Sequence, residues 1–317
     1  AYTYYDLLLK ISSAGIPFAI AALVSRYYAK EDYKTVLLVK KLGISIVMGL
    51  TFIVAIVFGL LSPSLARQSM GASASATDIE NLKMIFSILL LAVILVPYLS
   101  AIRGYYQGLK RLDLYGSSQA LEQFVRVFCI IFFGFLLTRV FALESIYAIY
   151  AAIGAASVAA FVTIIFFMFF TKEDDQRIDE LVKGQTTKAV SKKILVVEII
   201  SLSVPYLLIS FLGSLSALVN STFFMDTVTK AGVLSVEQAK LEMGILLANC
   251  NKLSSIPQVL TLGFSAGLVP YLSESYEKQD VRTLNKQIIS LIETVFFILI
   301  PAVLVFIFFA KDIYYIM

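Results

Sequence analysis

The chain contains no histidine, which removes the commonest general base and the commonest zinc ligand together. Its apolar runs also hold no clustered carboxylates. A membrane-embedded glycosyl or acyl transferase, which would need a base with a metal or acyl-acceptor group, is therefore disfavoured, and no metal or cofactor is expected. Charge is scarce: 15% of residues are charged and 59% hydrophobic, against about a quarter charged in soluble domains. There are two cysteines, Cys129 and Cys250, both inside apolar runs, which reads as small core residues and not as a disulfide framework. The chain begins at Ala1 without an initiator methionine or a signal peptide and stops at Met317 just after an apolar segment. It reads as a piece of a longer membrane protein, lacking at least one helix before Ala1 and several after Met317.

What is present is long apolar sequence, with a mean hydropathy of +0.86. Uncharged windows fall at 42–66, 84–102, 145–171, 199–225 and 294–310, each near or above the length that crosses a bilayer. Three more spans tolerate internal charge: 4–25 with Asp6 and Lys10, 118–138 with Glu122 and Arg126, and 241–273 with Lys252. About eight membrane helices are therefore expected. The segments 26–41, 103–111, 172–193 and 278–286 carry 17 of the 26 Lys and Arg, so these should be cytoplasmic by the positive-inside rule. The basic residues sort by loop, which gives no reason to expect a nucleic-acid partner.

Lys252 is the only charged residue from Met243 to Ser273. Placing it there costs about 2.5 to 3.5 kcal/mol unless it meets water, a partner or an anion. Asn249, Asn251, Ser254 and Ser255 flank it, and Pro257 should free backbone carbonyls on a wet face. Lys10 stands in the same kind of setting, beside Ser12 and Ser13 and ahead of Pro17. Each lysine has a plainer reading as well: snorkelling or internal pairing for Lys252, an i,i+4 pair with Asp6 for Lys10. Glu122 and Arg126, four apart, explain one another by mutual neutralisation. Gly104 and Gly108 are spaced for close helix approach, Ala148, Ala152, Ala156 and Ala160 form a small-residue stripe, and 171–193 reads as a solvated linker. Pro63 should close the second span, and 281–293 should lie at the interface before the last one.

An internal repeat appears at a shift of 248 residues. It pairs Gly15 with Gly263, Ser25 with Ser273, Tyr28 with Tyr276, Lys30 with Lys278, Asp32 with Asp280, Lys34 with Arg282 and Thr35 with Thr283. Both copies run from an inward-crossing helix into a basic loop, so the repeat is parallel.

Three blocks, LLLKISSAGIPFAIAALVSRYY, RGYYQGLKRLDLYGSSQALEQFVRV and NKLSSIPQVLTLGFSAGLVPYLSES, resemble the polysaccharide-biosynthesis branch of the multidrug/oligosaccharidyl-lipid/polysaccharide (MOP) exporter superfamily. Within it the chain is similar to the stage V sporulation protein B group and the MurJ-type lipid II flippases of Gram-positive bacteria. The resemblance implies an all-α polytopic membrane protein of the multidrug and toxin extrusion (MATE)/MOP type: two helical lobes about a central cavity, alternating access, and cavity cations that hold a pyrophosphate. Lys10 and Lys252 match cavity arginines of the family, with a point charge where relatives often carry a bidentate fork. The expected division is an N-terminal lobe over 1–170, a cytoplasmic linker over 171–193 and a C-terminal lobe over 194–317. The candidate substrate-binding residues are Lys10, Ser13, Asn249, Asn251 and Lys252, with Arg126 and Glu122 at the margin. The expected cargo is a lipid-linked pyrophosphoryl oligosaccharide such as lipid II, moved between the leaflets of a bacterial plasma membrane among its lipids, with a coupling ion or the membrane potential as drive. Another lipid-linked oligosaccharide, or a drug as in the multidrug branch, is the alternative; drug export would want an acidic cavity.

Overall fold

The computed structural model describes residues 15–70, 76–233 and 267–316, with isolated positions 235, 238, 239, 242, 263 and 264 between the last two. Lys10, Ser13, Asn249, Asn251 and Lys252 lie outside the described residues.

The described secondary structure is helical, without a strand. In order come α1 (Ile16–Ala29), α2 (Tyr33–Met70), α3 (Ala76–Gly108), α4 (Leu112–Phe135) with a π turn at Leu136–Val140, and α5 (Ser145–Phe170). A short α6 (Lys172–Gly184), then α7 (Lys192–Lys230), α8 (Val281–Phe308) and α9 (Ala310–Ile316) follow. Among the described residues five helices are long and apolar enough to cross a membrane, and the protein is a multi-pass membrane protein. The chain divides into two compact units, Ala1–Leu208 and Ile209–Met317, so α7 contributes its first part to one and the rest to the other.

At two expected boundaries the helix is continuous. The second membrane span is Tyr33–Ser62, ending beside Pro63 as expected, but its helix does not stop there, because α2 runs on to Met70. Proline at 63 leaves the Gly59 carbonyl without its usual amide donor, and the Ser62 hydroxyl donates to that carbonyl instead, at 2.9 Å. Residues 281–293, expected to lie at the interface, are continuous with the span that follows: α8 is one helix from Val281 to Phe308, with no proline before Pro301 to divide it.

In the first unit α3 is the central helix, packed on α1, α2, α4 and α5. Gly104 and Gly108 make its seat on α1: a Cβ at 108 would lie 2.6 Å from Val24 Cβ and 2.7 Å from the Ala21 carbonyl, and one at 104 would strike the Pro17 backbone. The expected close approach is therefore real. Gly15 (φ +79°) turns the chain into α1, where a Cβ would meet the Ser203 carbonyl of α7 at 2.5 Å. Pro17 occupies the first turn, where no amide is needed. The core divides along the bundle. One cluster joins Ile20, Leu23, Tyr105 and Tyr106 to Leu195 and Ile199, and a second joins Val54 and Phe58 of α2 to Phe86 and Val93 of α3, with Ala156 of α5 packed against it. Phe124, Val127, Phe128, Ile131 and Phe135 leave one face of α4 apolar and exposed, as contact with lipid requires.

The repeat is visible in local geometry. Glu31 (φ 59°) and Gln279 (φ 55°) both take the left-handed conformation. The Asp32 amide bonds the Tyr27 carbonyl and the Glu31 amide that of Tyr28; 248 residues on, Asp280 bonds Ser275 and Gln279 bonds Tyr276. Each helix thus ends in a Schellman turn. Asp32 then accepts from the Thr35 amide at 3.1 Å and Asp280 from the Thr283 amide at 3.0 Å, so each caps the helix that follows.

Candidate functional site

Glu122 and Arg126 are joined across one turn of α4, as their spacing requires. The carboxylate is nevertheless shared. Arg103 of α3 reaches the same residue, with one terminal guanidinium nitrogen 2.7 Å from Glu122 Oε2, while its Nε donates to Ser118 Oγ at 2.9 Å and its other terminal nitrogen to the Ser118 carbonyl at 2.9 Å. Glu122 is buried and Arg103 nearly so. Mutual neutralisation of Glu122 and Arg126 is therefore not the whole explanation: two guanidiniums meet one carboxylate, leaving a formal surplus of one positive charge. Each of the three Arg103 guanidinium nitrogens has a partner. Arg126 differs, because its Nε is buried without a partner while its side chain keeps 30% of its exposure.

Sequence reasoning placed Arg103 only at the basic edge. The signal that would have found it is hairpin register. Lys110 (φ 63°) ends α3 in another Schellman turn, so residues at similar distances either side of it, such as 103 and 118, come level.

Beyond that turn lies a second cluster, built from the basic segments of the first unit. Asp175 of α6 bonds Lys40 at 2.8 Å and the Tyr106 hydroxyl at 3.0 Å, and Asp174 pairs with Arg111. The Lys40 ammonium also lies 4.3 Å from the centre of the Tyr105 ring. The Gln185 carboxamide accepts from the Lys34 amide and donates to Asp32, each at 2.8 Å, and the Val190 amide donates to the Thr35 hydroxyl at 2.9 Å. Tyr27 donates to Glu198 at 3.0 Å. Residues 171–193 thus form a clasp docked at several points although most of their side chains are exposed: Ile178 is buried, and Asp174 and Asp175 of α6 are matched to bases at the α3–α4 turn and on α2. The carboxylate of Asp113, hydrogen-bonded to Arg111, raises the guanidinium's pKa above its ordinary value.

The third feature is a groove of about 870 Å³. Met84, Ile88, Leu91 and Leu95 of α3 and Cys129 and Phe133 of α4 line it, over a floor of small α5 residues that includes Gly154 and Ala155. No group of His, Cys, Asp or Glu able to hold a metal occurs among the described residues.

A family model described as polysaccharide biosynthesis protein matches residues 1–276. The chain belongs to that family. Among its curated family relatives are the lipid II flippase MurJ of Bacillus subtilis (strain 168), 28% identical over 95% of this chain and 56% of that protein, and stage V sporulation protein B of the same organism, 25% identical over 89% and 52%. The chain spans about half the length of these relatives. Its fold is that of the MATE/MOP transporters. A MATE protein in its straight conformation superposes with a TM-score of 0.71 at 16% identity, over 100% of this chain and 65% of that one. A MOP superfamily transporter from Pyrococcus furiosus, described as having a binding pocket of reverse polarity, gives 0.71 at 13% identity over 99% and 63%. The resemblance drawn from the three sequence blocks thus holds at the level of family and fold.

Proposed function

We propose that the protein to which this chain belongs is a flippase that carries an undecaprenyl-pyrophosphate-linked peptidoglycan precursor, lipid II, from the inner to the outer leaflet by alternating access. The observation that carries this reading is the positive surplus at Arg103, Glu122 and Arg126. A membrane segment that keeps two guanidiniums for one carboxylate suits an anionic cargo and not a cationic drug. Lys10 and Lys252, with Ser13, Asn249 and Asn251 beside them, supply further point charges for the pyrophosphate, and Arg126 adds a fork able to grip it in two places. Moving a head group of this kind needs compensation of charge and no covalent step, so the protein is read as a transporter and not an enzyme. The lobes run over 1–170 and 194–317, joined through 171–193. The membrane potential is a sufficient drive, since one charge moved through 100 mV is worth about 2.3 kcal/mol.

The support from relatives is that one of them is a lipid II flippase. The test is complementation of a bacterium depleted of its lipid II flippase by the full-length protein, with Lys10→Ala, Lys252→Ala and Arg126→Gln alongside. Growth with the unmutated protein and its loss in the variants is the expected result. Failure of the unmutated protein would move the cargo to another lipid-linked oligosaccharide, and full growth of all three variants would discard the cationic mechanism.

A further inference from the structure

We infer that Arg126 changes partners during transport, leaving Glu122 for the phosphate of the cargo and returning to it on release, and that Arg103 is the positioning residue that makes this exchange possible. The inference rests on the anionic-cargo reading and adds how the empty carrier holds its surplus charge and how it lets the cargo go.

The two arginines hold Glu122 by different oxygens. Arg103 donates to Oε2 at 2.7 Å and Arg126 to Oε1, so one guanidinium can leave without breaking the other's bond. They are not equally free to do so. Arg103 commits its other two nitrogens to Ser118, whose hydroxyl oxygen and carbonyl each accept at 2.9 Å. The Ser118 hydroxyl donates in turn to the Tyr115 carbonyl at 2.8 Å, which turns its lone pairs toward Arg103. Ser118 is buried, and the Arg103 side chain is almost wholly enclosed. Among the described residues Arg126 bonds Glu122 alone, with its Nε unpartnered. It stands one turn along the same helix and is partly exposed, so its stem can turn away without moving the backbone.

A buried carboxylate resists being left alone. Were Arg126 the sole partner of Glu122, moving it to a phosphate would strand a buried charge, and that penalty would fall on cargo binding. With Arg103 fixed on Oε2, Arg126 departs from a pair that stays neutral. Glu122 also offers Arg126 what a phosphate oxygen offers, an anionic acceptor for a charge-assisted bond. Glu122 is therefore an internal stand-in for the cargo anion: it occupies Arg126 when no cargo is bound and draws it back at release.

The test is binding of a fluorescent farnesyl pyrophosphate to the full-length protein in detergent, with inorganic pyrophosphate as displacer, followed by flipping of a fluorescent polyprenyl-pyrophosphate sugar lipid in proteoliposomes. Arg126→Gln should weaken displaceable binding by about tenfold or more. Arg103→Gln, which leaves Arg126 as the sole partner of Glu122, should weaken it as much. The deciding variant combines Arg103→Gln with Glu122→Gln. It removes one buried charge of each sign, so its fold does not depend on a stranded ion, and it sets Arg126 free. Its binding should return to within about threefold of the unmutated protein, while its turnover stays about tenfold or more below, because nothing draws Arg126 back. Unweakened binding in Arg103→Gln, or a folded double variant that stays weak or turns over at the full rate, would overturn the exchange while leaving an anionic cargo standing. Binding that pyrophosphate does not displace, or that Arg126→Gln leaves intact, would overturn both.

Discussion

The first unit holds two charge clusters within a few turns of each other, and they are built on opposite rules. At the basic end Lys40 meets Asp175 and Arg111 meets Asp113 and Asp174, so these two bases each find at least one acid. Deeper along α3 and α4, Arg103 and Arg126 divide one Glu122, and among the described residues no second acid is paired with them. Paired charges near water fasten elements together and are individually weak. A deficit of acid inside the bundle costs stability, and in the proposed function the cargo supplies the missing negative charge.

The comparison can be broken most forcefully at its shared carboxylate. Glu122→Ala strands two guanidiniums and should lower stability by about 3 to 5 kcal/mol, measured by unfolding in detergent. An equal cost for Arg126→Gln would show that both arginines are structural and that the surplus is illusory; it should instead cost under about 1 kcal/mol, because Arg103 still holds Glu122. Next in size is the seat of α3 on α1, which fixes both clusters. Gly108→Ala pushes a methyl group against Val24 and the Ala21 carbonyl and should cost about 1 to 3 kcal/mol by overpacking.

The clasp should yield less. Asp175→Asn weakens the bonds to Lys40 and Tyr106, and because Asp175 is partly exposed the global loss should be about 1 kcal/mol or below. Hydrogen exchange in 172–184 should rise well before that in α3. A loss as large as that from Glu122→Ala would erase the contrast between the clusters. The smallest effect belongs to the repeated turn. Hydrogen bonding from Thr283 holds the Asp280 carboxyl below its ordinary value, so its stabilising contribution is present above the usual carboxylate range of about 4 and fades as pH falls through the lowered value. Protection of the Thr283 amide, measured as exchange relative to its intrinsic rate at each pH, should fall only in that acid window and, in Asp280→Ala, should be low throughout.

Much of this was legible in the sequence. Apolar run length and loop charge mark the membrane helices, and the turn geometry at 31–32 and 279–280 follows the 248-residue shift. Gly104 and Gly108 announce a close approach by their spacing, and the glycines do touch α1. What the sequence hid was non-local. Glu122 and Arg126 are neighbours in one helix, so periodicity finds the pair, but Arg103 joins them only through the fold of the α3–α4 hairpin. Likewise 171–193 looks solvated because it is charged, yet two of its carboxylates, Asp174 and Asp175, are spent on Arg111, Lys40 and Tyr106. The groove comes from side chains on three helices, and no stretch of sequence contains it. Lys10 and Lys252 fall outside the described residues, and their part in the site remains a proposal from sequence.

The surplus charge at Arg126 is tested most directly by transport of a fluorescent polyprenyl-pyrophosphate sugar lipid in proteoliposomes of the full-length protein. Arg126→Gln should fold and insert normally yet lose at least tenfold in flipping rate, with Arg126→Lys recovering part of it by restoring the charge without the fork. Unchanged flipping in Arg126→Gln, or a loss that Arg126→Lys does nothing to repair, would contradict a role for that charge in meeting the cargo.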